Sequence, residues 1–530
     1  MTVDDIFAAY QRHVLEYSPV AATQDGDHRR DSDLDDWPPG ALDARLRDLD
    51  GLLSSLEGLG PLPPDAEGDR LLLTNTLEAQ RFKLAGLGVY SHNPMVWLSL
   101  ATSGVHELIR RDDLAAAPRR VAAASRAAQV PRLLGQARAT LDGISVPHLQ
   151  VALQRVAGAV ALFGQLLPRF APHAAEAGEA AATACEEFAY WLEQRQGPSP
   201  DWRLGGQRFG QALRLGLGVP MTAEQVWDRG LAALPELQAK AEEAAAKLLG
   251  GSQRLDGAEL VRAGLEVVAA DRPSRASLVS DAAAVLPEIV AFLLQTALFP
   301  TADPEALRVE ELPAFMQGVF AASFFPAPPR EPDASHTYYL SPVPDSWDDE
   351  RATSFLREYN RSALYSIGIH EAFPGHYVQL AHGLRHPRLL RRVLCNGAFV
   401  EGWAVYVERQ LVAEGFGDAA LRLTSAKLAM RVVANALLDQ GLHVHGWEDA
   451  QALDLMIARV YQEPAEAAGK LVRGKVTAGQ LSTYFVGEQE MLDLRRDAES
   501  QPGFSAERFH HDVLAHGSPS FPVLRHDLGL

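Results

Sequence analysis

Apolar residues recur at intervals of three and four through most of this chain, and that period commits it to helices. After Gly40, Leu42, Leu46, Leu49, Leu53 and Leu56 form one stripe, while Asp43, Arg45, Arg47 and Asp48 fill the opposite face. Similar stripes run over about 64–86, 117–141, 147–170 and 174–195. Thr222 and Gln225 form a capping box, which predicts a helix opening there and running towards Leu249. The pattern breaks between about 299 and 350, where FFPAPPREPDASHTYYLSPVPDSW is too rich in proline for one helix. Within it, His336–Leu340 reads as a short edge strand. Helical texture resumes from about 350 to 500. The fold expected is mainly α, with a small β element. Gly197-Pro198-Ser199-Pro200 reads as a seam between an N-terminal half, 1–197, and a C-terminal half, 198–530, packed intimately as one unit.

Composition narrows the class of function. Apolar residues make up 47% of the 530 residues and charged residues 22%, which suits a globular core and argues against disorder. The net charge of −19 repels phosphate backbones and anionic lipid, so neither nucleic acid nor a membrane is an expected partner. Cys185 and Cys395 have no C-x-x-C partner, so a zinc knuckle and a thioredoxin-type motif are excluded. The opening residues lack a basic stretch leading into an apolar one, and no apolar run of about 18 residues occurs. Those features predict a cytoplasmic protein.

The most informative stretch is Ser366-Ile-Gly-Ile-His370-Glu371-Ala-Phe-Pro374-Gly375-His376. Zinc hydrolases carry H-E-x-x-H on one helix: four residues turn it by about 400°, so both imidazoles reach one ion and the Glu serves as base. Here the second His lies six positions on, which on an undistorted helix points it well away from the first. Pro374 removes a backbone donor and collides with the carbonyl of His370, and Gly375 opens backbone angles closed to other residues. The helix must therefore widen or break between the histidines, and a local bulge would return His376 to the ion. Ile367 and Ile369 give the pair an apolar setting. Downstream, NGAFVEGWAVYVE (396–408) predicts a separate helix carrying carboxylates, and a third ligand from such a helix would leave one position open for water.

These motifs resemble a large bacterial family called domain of unknown function 885, over nearly the whole chain. The resemblance is carried by YSPVAATQDGDHRRDSDLDD, LGGQRFGQALRLGLGVPMTAEQVWDRG, HEAFPGHYVQL, EGWAVYVE, LLDQGLHVHGW, AGQLSTYFVG and RFHHDVLAHGSPSFPVL, in that order. It implies a helical zinc metallopeptidase of the gluzincin type, built around a deep cleft. Carried across residue by residue, it implies His370, His376 and Glu401 as ligands to one Zn²⁺, with Glu371 as base. Tyr484 is the first candidate donor to the oxyanion and His443 the second; Tyr338 and Tyr339 are candidates to line the substrate channel.

The expected chemistry is hydrolysis by metal-activated water, with Glu371 passing the proton to the leaving amine of an oligopeptide. Hydrolysis of a non-peptide amide or ester is the alternative, followed by a metal-containing peptide-binding protein without turnover. Two His and one carboxylate also suit iron. Other constellations compete. His382 and His386 have i,i+4 spacing, but Pro387 ends that helix. His510, His511 and Asp512 suit either a shell around the ligands or a solvated helix end. Arg385, Arg388, Arg391 and Arg392 form a small basic face, suited to solvent or to a substrate carboxylate.

Overall fold

The computed structural model describes residues 1–195, 199–251, 255–312, 322–345 and 347–530. Helices dominate throughout, and the stripes read from the sequence become their buried faces: Leu49 and Leu56 of helix Ala41–Glu57 are at most 1% exposed. The capping box at Thr222 forms with both reciprocal bonds and opens helix Ala223–Leu248. The chain divides into two compact units, Met1–Trp202 with Pro328–Ala334, and Arg203–Ala327 with Ser335–Leu530. Gly197 and Pro198 of the expected seam lie outside the described residues; the division falls between Trp202 and Arg203.

The first unit packs helices Pro94–Arg110, Ala116–Thr140, Val146–Ala161 and Ala175–Glu193 around an alanine- and leucine-rich core. Arg126 is fully buried at its centre. Its guanidinium donates to the carbonyls of Asp33 (2.9 Å) and Gly104 (2.7 Å) and to Thr23 Oγ1 (2.6 Å), so every direction of the fork finds an acceptor. That network fastens the irregular stretch 25–40 to the helices. The short excursion Pro328–Ala334 is held in the same unit by Glu331, which pairs with Arg111 at 2.7 Å and His28 at 3.0 Å.

The second unit is built on two long helices, Ala223–Leu248 and Ala419–His443, lying against each other. Helix Arg361–Glu371 and helix Gly397–Ala413 pack beside them, and helix Thr483–Glu499 crosses the latter. A three-stranded sheet covers the same region: β1 (Leu307–Glu311), β2 (Ala322–Phe325) and β3 (His336–Leu340). Its order is β1-β3-β2, with β1 parallel and β2 antiparallel to β3. The edge-strand expectation for His336–Leu340 is therefore corrected: β3 is the middle strand. Its five residues are all buried, because both neighbours pair with it and helices cover it, so it shows no polar face.

The stretches Val146–Phe170 and Leu278–Thr296 are long and apolar enough to cross a membrane by length and composition. In the second of them Leu278, Ala282, Val285, Ile289 and Leu293 recur at helical spacing and are buried in the core, while Leu294 is exposed. This stretch is two helices, Leu278–Ala284 and Leu286–Thr296.

Candidate metal centre

The site starts from a broken helix. Helix Arg361–Glu371 begins at Asn360, whose Oδ1 caps the Ala363 N–H, and ends at Glu371. Four residues later a new helix, His376–Leu384, sets off. The expectation of a widened or broken helix resolves as a break, with a cis peptide between Phe373 and Pro374. Gly375 lies so close to the end of the first helix that a Cβ would sit 1.9 Å from the His370 carbonyl oxygen and 2.3 Å from that of Ile369. No side chain fits there. The tight turn brings the two imidazoles together, ring centroids 4.6 Å apart and planes at 80°.

Helix Gly397–Ala413 supplies the carboxylates. Asn396 caps its first turn through Phe399 N. Trp403, fully buried, donates from Nε1 to the Pro374 carbonyl at 2.9 Å, so the Trp of the EGWA motif clamps the turn that separates the histidines. Gly402 meets Gly487 of the crossing helix; a Cβ on Gly402 would lie 2.3 Å from the Gly487 carbonyl carbon. Two glycines at the crossing let these backbones touch, and each has a site residue close by in sequence: Glu401 on one helix, Tyr484 on the other.

His370, His376 and Glu401 converge, with one ligand atom from each lying within 4.8 Å of the others. Glu401 Oε2 is 3.4 Å from His370 Nε2 and 3.5 Å from His376 Nε2. Those separations are long for hydrogen bonds, and Glu401 Oε2 is buried without one. They do match the edge of a tetrahedron of ligands about 2.1 Å from a central ion, which is roughly 3.4 Å. The donor set therefore fits a divalent cation.

Electrostatics point the same way. His370 Nδ1 donates to Glu408 Oε1 at 2.6 Å, which orients the ring so that Nε2 faces Glu401 and His376. Burial opposes a charge on His370, yet the adjacent Glu401 and Glu408 carboxylates outweigh it and hold its pKa well above the ordinary value. Burial would raise the pKa of Glu401, but the two imidazoles override it and hold the carboxyl below its usual range. A cation is favoured at this spot. Glu371 is 9% exposed, and burial raises its pKa despite the two histidines. It remains a basic carboxylate beside the ligands and outside their set.

The other expected residues separate into two groups. Tyr484 is half-buried with Glu401 and His370 nearby and Arg473 approaching its hydroxyl; burial is the main cause of its raised pKa. Tyr338 is fully buried with Glu371 and Tyr359 among its neighbours, and its hydroxyl has no hydrogen-bond partner. Tyr339 alternates to the other face of β3, where its ring stands edge-on to Phe325. His443 occupies a packing position: its Nε2 donates to the Gly474 carbonyl at 2.8 Å and its ring stacks on Phe209. His382 bonds the Thr301 carbonyl and His386 accepts from the Arg388 N–H, so this pair does not converge on a metal. Arg391 is buried against Asp527, which removes it from any solvated face. His510 is buried behind the Glu401 helix, bonded to Tyr406, while His511 is exposed. The sequence alone leaves the role of Glu408 open, though its spacing carries a signal. Seven residues after Glu401, it falls about 20° short of two full turns and shares its face.

Among solved structures, one described as a "putative lipoprotein of unknown function" from Shewanella oneidensis is 25% identical, with full coverage of both chains and a TM-score of 0.85. A second, described as a "putative lipoprotein" from Colwellia psychrerythraea, is 17% identical over 99% of this chain and 98% of its own, with a TM-score of 0.79. The likeness to the second shows the shared fold alone. No curated protein matches. The family described as bacterial protein of unknown function, DUF885, matches residues 19–528, and the chain belongs to that family.

Proposed function

We propose that this protein is a zinc-dependent hydrolase of peptide bonds in oligopeptides. The observation that carries the reading is the convergence of His370, His376 and Glu401 beside a buried carboxylate, Glu371, that takes no part in ligation. A purely structural zinc would close its fourth position with another protein ligand and would need no base. Bound there, the ion supplies an acidified water and a polarised substrate carbonyl.

The chain's own residues supply the rest. Glu371, its basicity raised by burial, accepts the proton of the attacking water and passes it to the leaving nitrogen. Glu408 holds His370 in the tautomer that presents Nε2. The Tyr484 hydroxyl, which interacts electrostatically with Glu401 and His370, is the donor this reading assigns to the carbonyl oxygen as it gains charge. Tyr338 and Trp403 exclude water from the back of the site.

The test couples composition to turnover. Purified protein is expected to carry about one equivalent of zinc by mass spectrometry and to cleave members of a short-peptide library. Glu371→Gln keeps the metal and loses cleavage. Absence of stoichiometric metal, or unchanged cleavage by Glu371→Gln, overturns the reading.

A further inference from the structure

A second cluster of charge lies on helix Ala419–His443 and helix Pro464–Val476, which pack on each other; the first of these also packs against the helices that carry His370 and Tyr484. Arg431, on helix Ala419–His443, pairs with Glu466; Lys427 pairs with Glu358 at 2.8 Å. Lys470, one turn beyond Glu466 on helix Pro464–Val476, is 8% exposed, and its Nζ has no hydrogen bond, with Glu466 Oε1 3.9 Å away. Lys427 and Arg431 each hold a carboxylate directly, whereas Lys470 has only the more distant Glu466. Burial, with Arg431 beside it, pushes Lys470 well below the ordinary lysine range, and an anion brought to its Nζ would restore its charge.

Tyrosines join this cluster to the site. Tyr359 lies among Arg431, Glu466 and Glu371, and Tyr484 interacts electrostatically with Arg431 as well as with Glu401, His370 and Arg473. The side chains of Glu371, Glu401 and Glu408 gather at the candidate centre and offer a substrate carboxylate no hydrogen-bond donor. Arg431 and Lys470 carry the opposite chemistry. Arg431 keeps 36% of its side chain exposed.

We propose that Arg431 and Lys470 bind a carboxylate of the substrate, and so select peptides whose scissile bond lies close to a free acid group. This rests on the peptidase reading and names its substrate class. A carboxylate is such an anion: it accepts from the Arg431 fork and from Lys470 Nζ, and it leaves Glu466 as the bridge between them. The acid can be the C-terminal α-carboxylate or an Asp or Glu side chain.

The test is binding without turnover. Zinc-loaded Glu371→Gln protein is titrated calorimetrically with three forms of one tetrapeptide: free acid, C-terminal amide, and amide carrying an internal Glu. Preference of at least tenfold for the free acid over the plain amide assigns the C-terminal carboxylate; the same preference for the Glu-containing amide assigns a side chain. Either preference must fall at least fivefold in Arg431→Met and in Lys470→Met, each checked for an unchanged circular-dichroism spectrum and zinc content. Should one variant fail to fold, the other decides. Equal binding of all three peptides, no binding at all, or a preference untouched by both substitutions overturns the inference. Acid preference that depends on Arg431, in a protein whose parent form cleaves no peptide, upholds this inference while refuting the peptidase reading. Cleavage without acid preference does the reverse.

Discussion

Glu408 accepts a hydrogen bond from His370 Nδ1 at 2.6 Å, two helical turns after Glu401 on the same helix. One helix thus carries the candidate ligand Glu401 and also the carboxylate that holds His370. The carboxylate sets the imidazole tautomer and raises its basicity, so its loss weakens the metal without touching it. Glu408→Gln is expected to lower zinc affinity roughly 10- to 100-fold. Competition with a chromogenic chelator reads this directly, and unchanged affinity would assign Glu408 to packing alone.

Trp403 and the Phe373–Gly375 turn form the second support. Trp403→Phe keeps an aromatic ring but deletes the bond to the Pro374 carbonyl, a loss of about 1 kcal/mol plus the desolvation of the orphaned acceptor, and leaves part of the buried indole's space unfilled. The expected result is a modest fall in melting temperature and a larger fall in zinc affinity, because the turn that returns His376 loosens. Equal metal affinity in the two proteins would show that Gly375 and the helix ends hold the turn without help.

Gly402 and Gly487 make a sharper prediction. A Cβ on Gly402 meets the Gly487 backbone at 2.3 to 2.6 Å, and backbone cannot rotate away as a side chain can. Gly402→Ala must push the helices apart and is expected to destabilise by a few kcal/mol, typical of overpacking. Denaturant unfolding measures it. A loss within about 0.5 kcal/mol, the range of neutral surface changes, would mean that the helices separate freely.

How much of this was readable beforehand follows from what each residue's role depends on. Helices were readable because burial imposes a period on the side chains, as Leu49 and Leu56 illustrate. The small sheet was half readable: HTYYL looks like a strand, but its central position depends on partners at 307–311 and 322–325 whose own composition says nothing about pairing. His376 is singled out by the chemistry of its neighbours, since Pro374 and Gly375 make a continuous helix untenable; that the break brings its ring to within 4.6 Å of His370 is a three-dimensional fact. His443 carried the right residue type in a motif-like string and nonetheless packs on Phe209. Arg431 and Lys470 gave no signal, because a charge on a helix face looks the same whether solvent or a buried cluster faces it. The return of Pro328–Ala334 to the first unit rests on Glu331 meeting Arg111, 220 residues away in the chain.

Acid stability should carry the mark of His510. Its Nδ1–H donates to the Leu298 carbonyl and its Nε2 accepts from Tyr406, an arrangement available only to the neutral ring. Burial depresses its pKa to about 3. Between that value and the unfolded value of about 6.5, the unfolded chain binds the proton and the native one does not. The stabilisation is therefore complete above about pH 6.5 and drains as the pH falls, by at most about 1.4 kcal/mol per unit from this group. Unfolding of the parent protein followed from pH 7 to pH 5 should show that slope. His510→Gln, which retains a donor and an acceptor, should be less stable at pH 7 and lose less on acidification. A variant slope as steep as the parent's would assign the acid sensitivity to other groups.

Tyr484 offers the test closest to the chemistry. Its hydroxyl lies near Glu401 and His370, and burial raises its pKa, so it stays protonated and able to donate across the neutral range. A donor that strengthens only as the carbonyl oxygen gains charge acts on the transition state more than on bound substrate. Tyr484→Phe should therefore lower kcat by roughly 10²- to 10³-fold, with KM changed little and zinc content unchanged. Pre-steady-state kinetics on a fluorogenic peptide would separate the chemical step from product release. If KM rises while kcat holds, Tyr484 binds substrate and the oxyanion donor must be sought elsewhere. Tyr338, whose hydroxyl is buried without a partner near Glu371, is then the next residue to substitute.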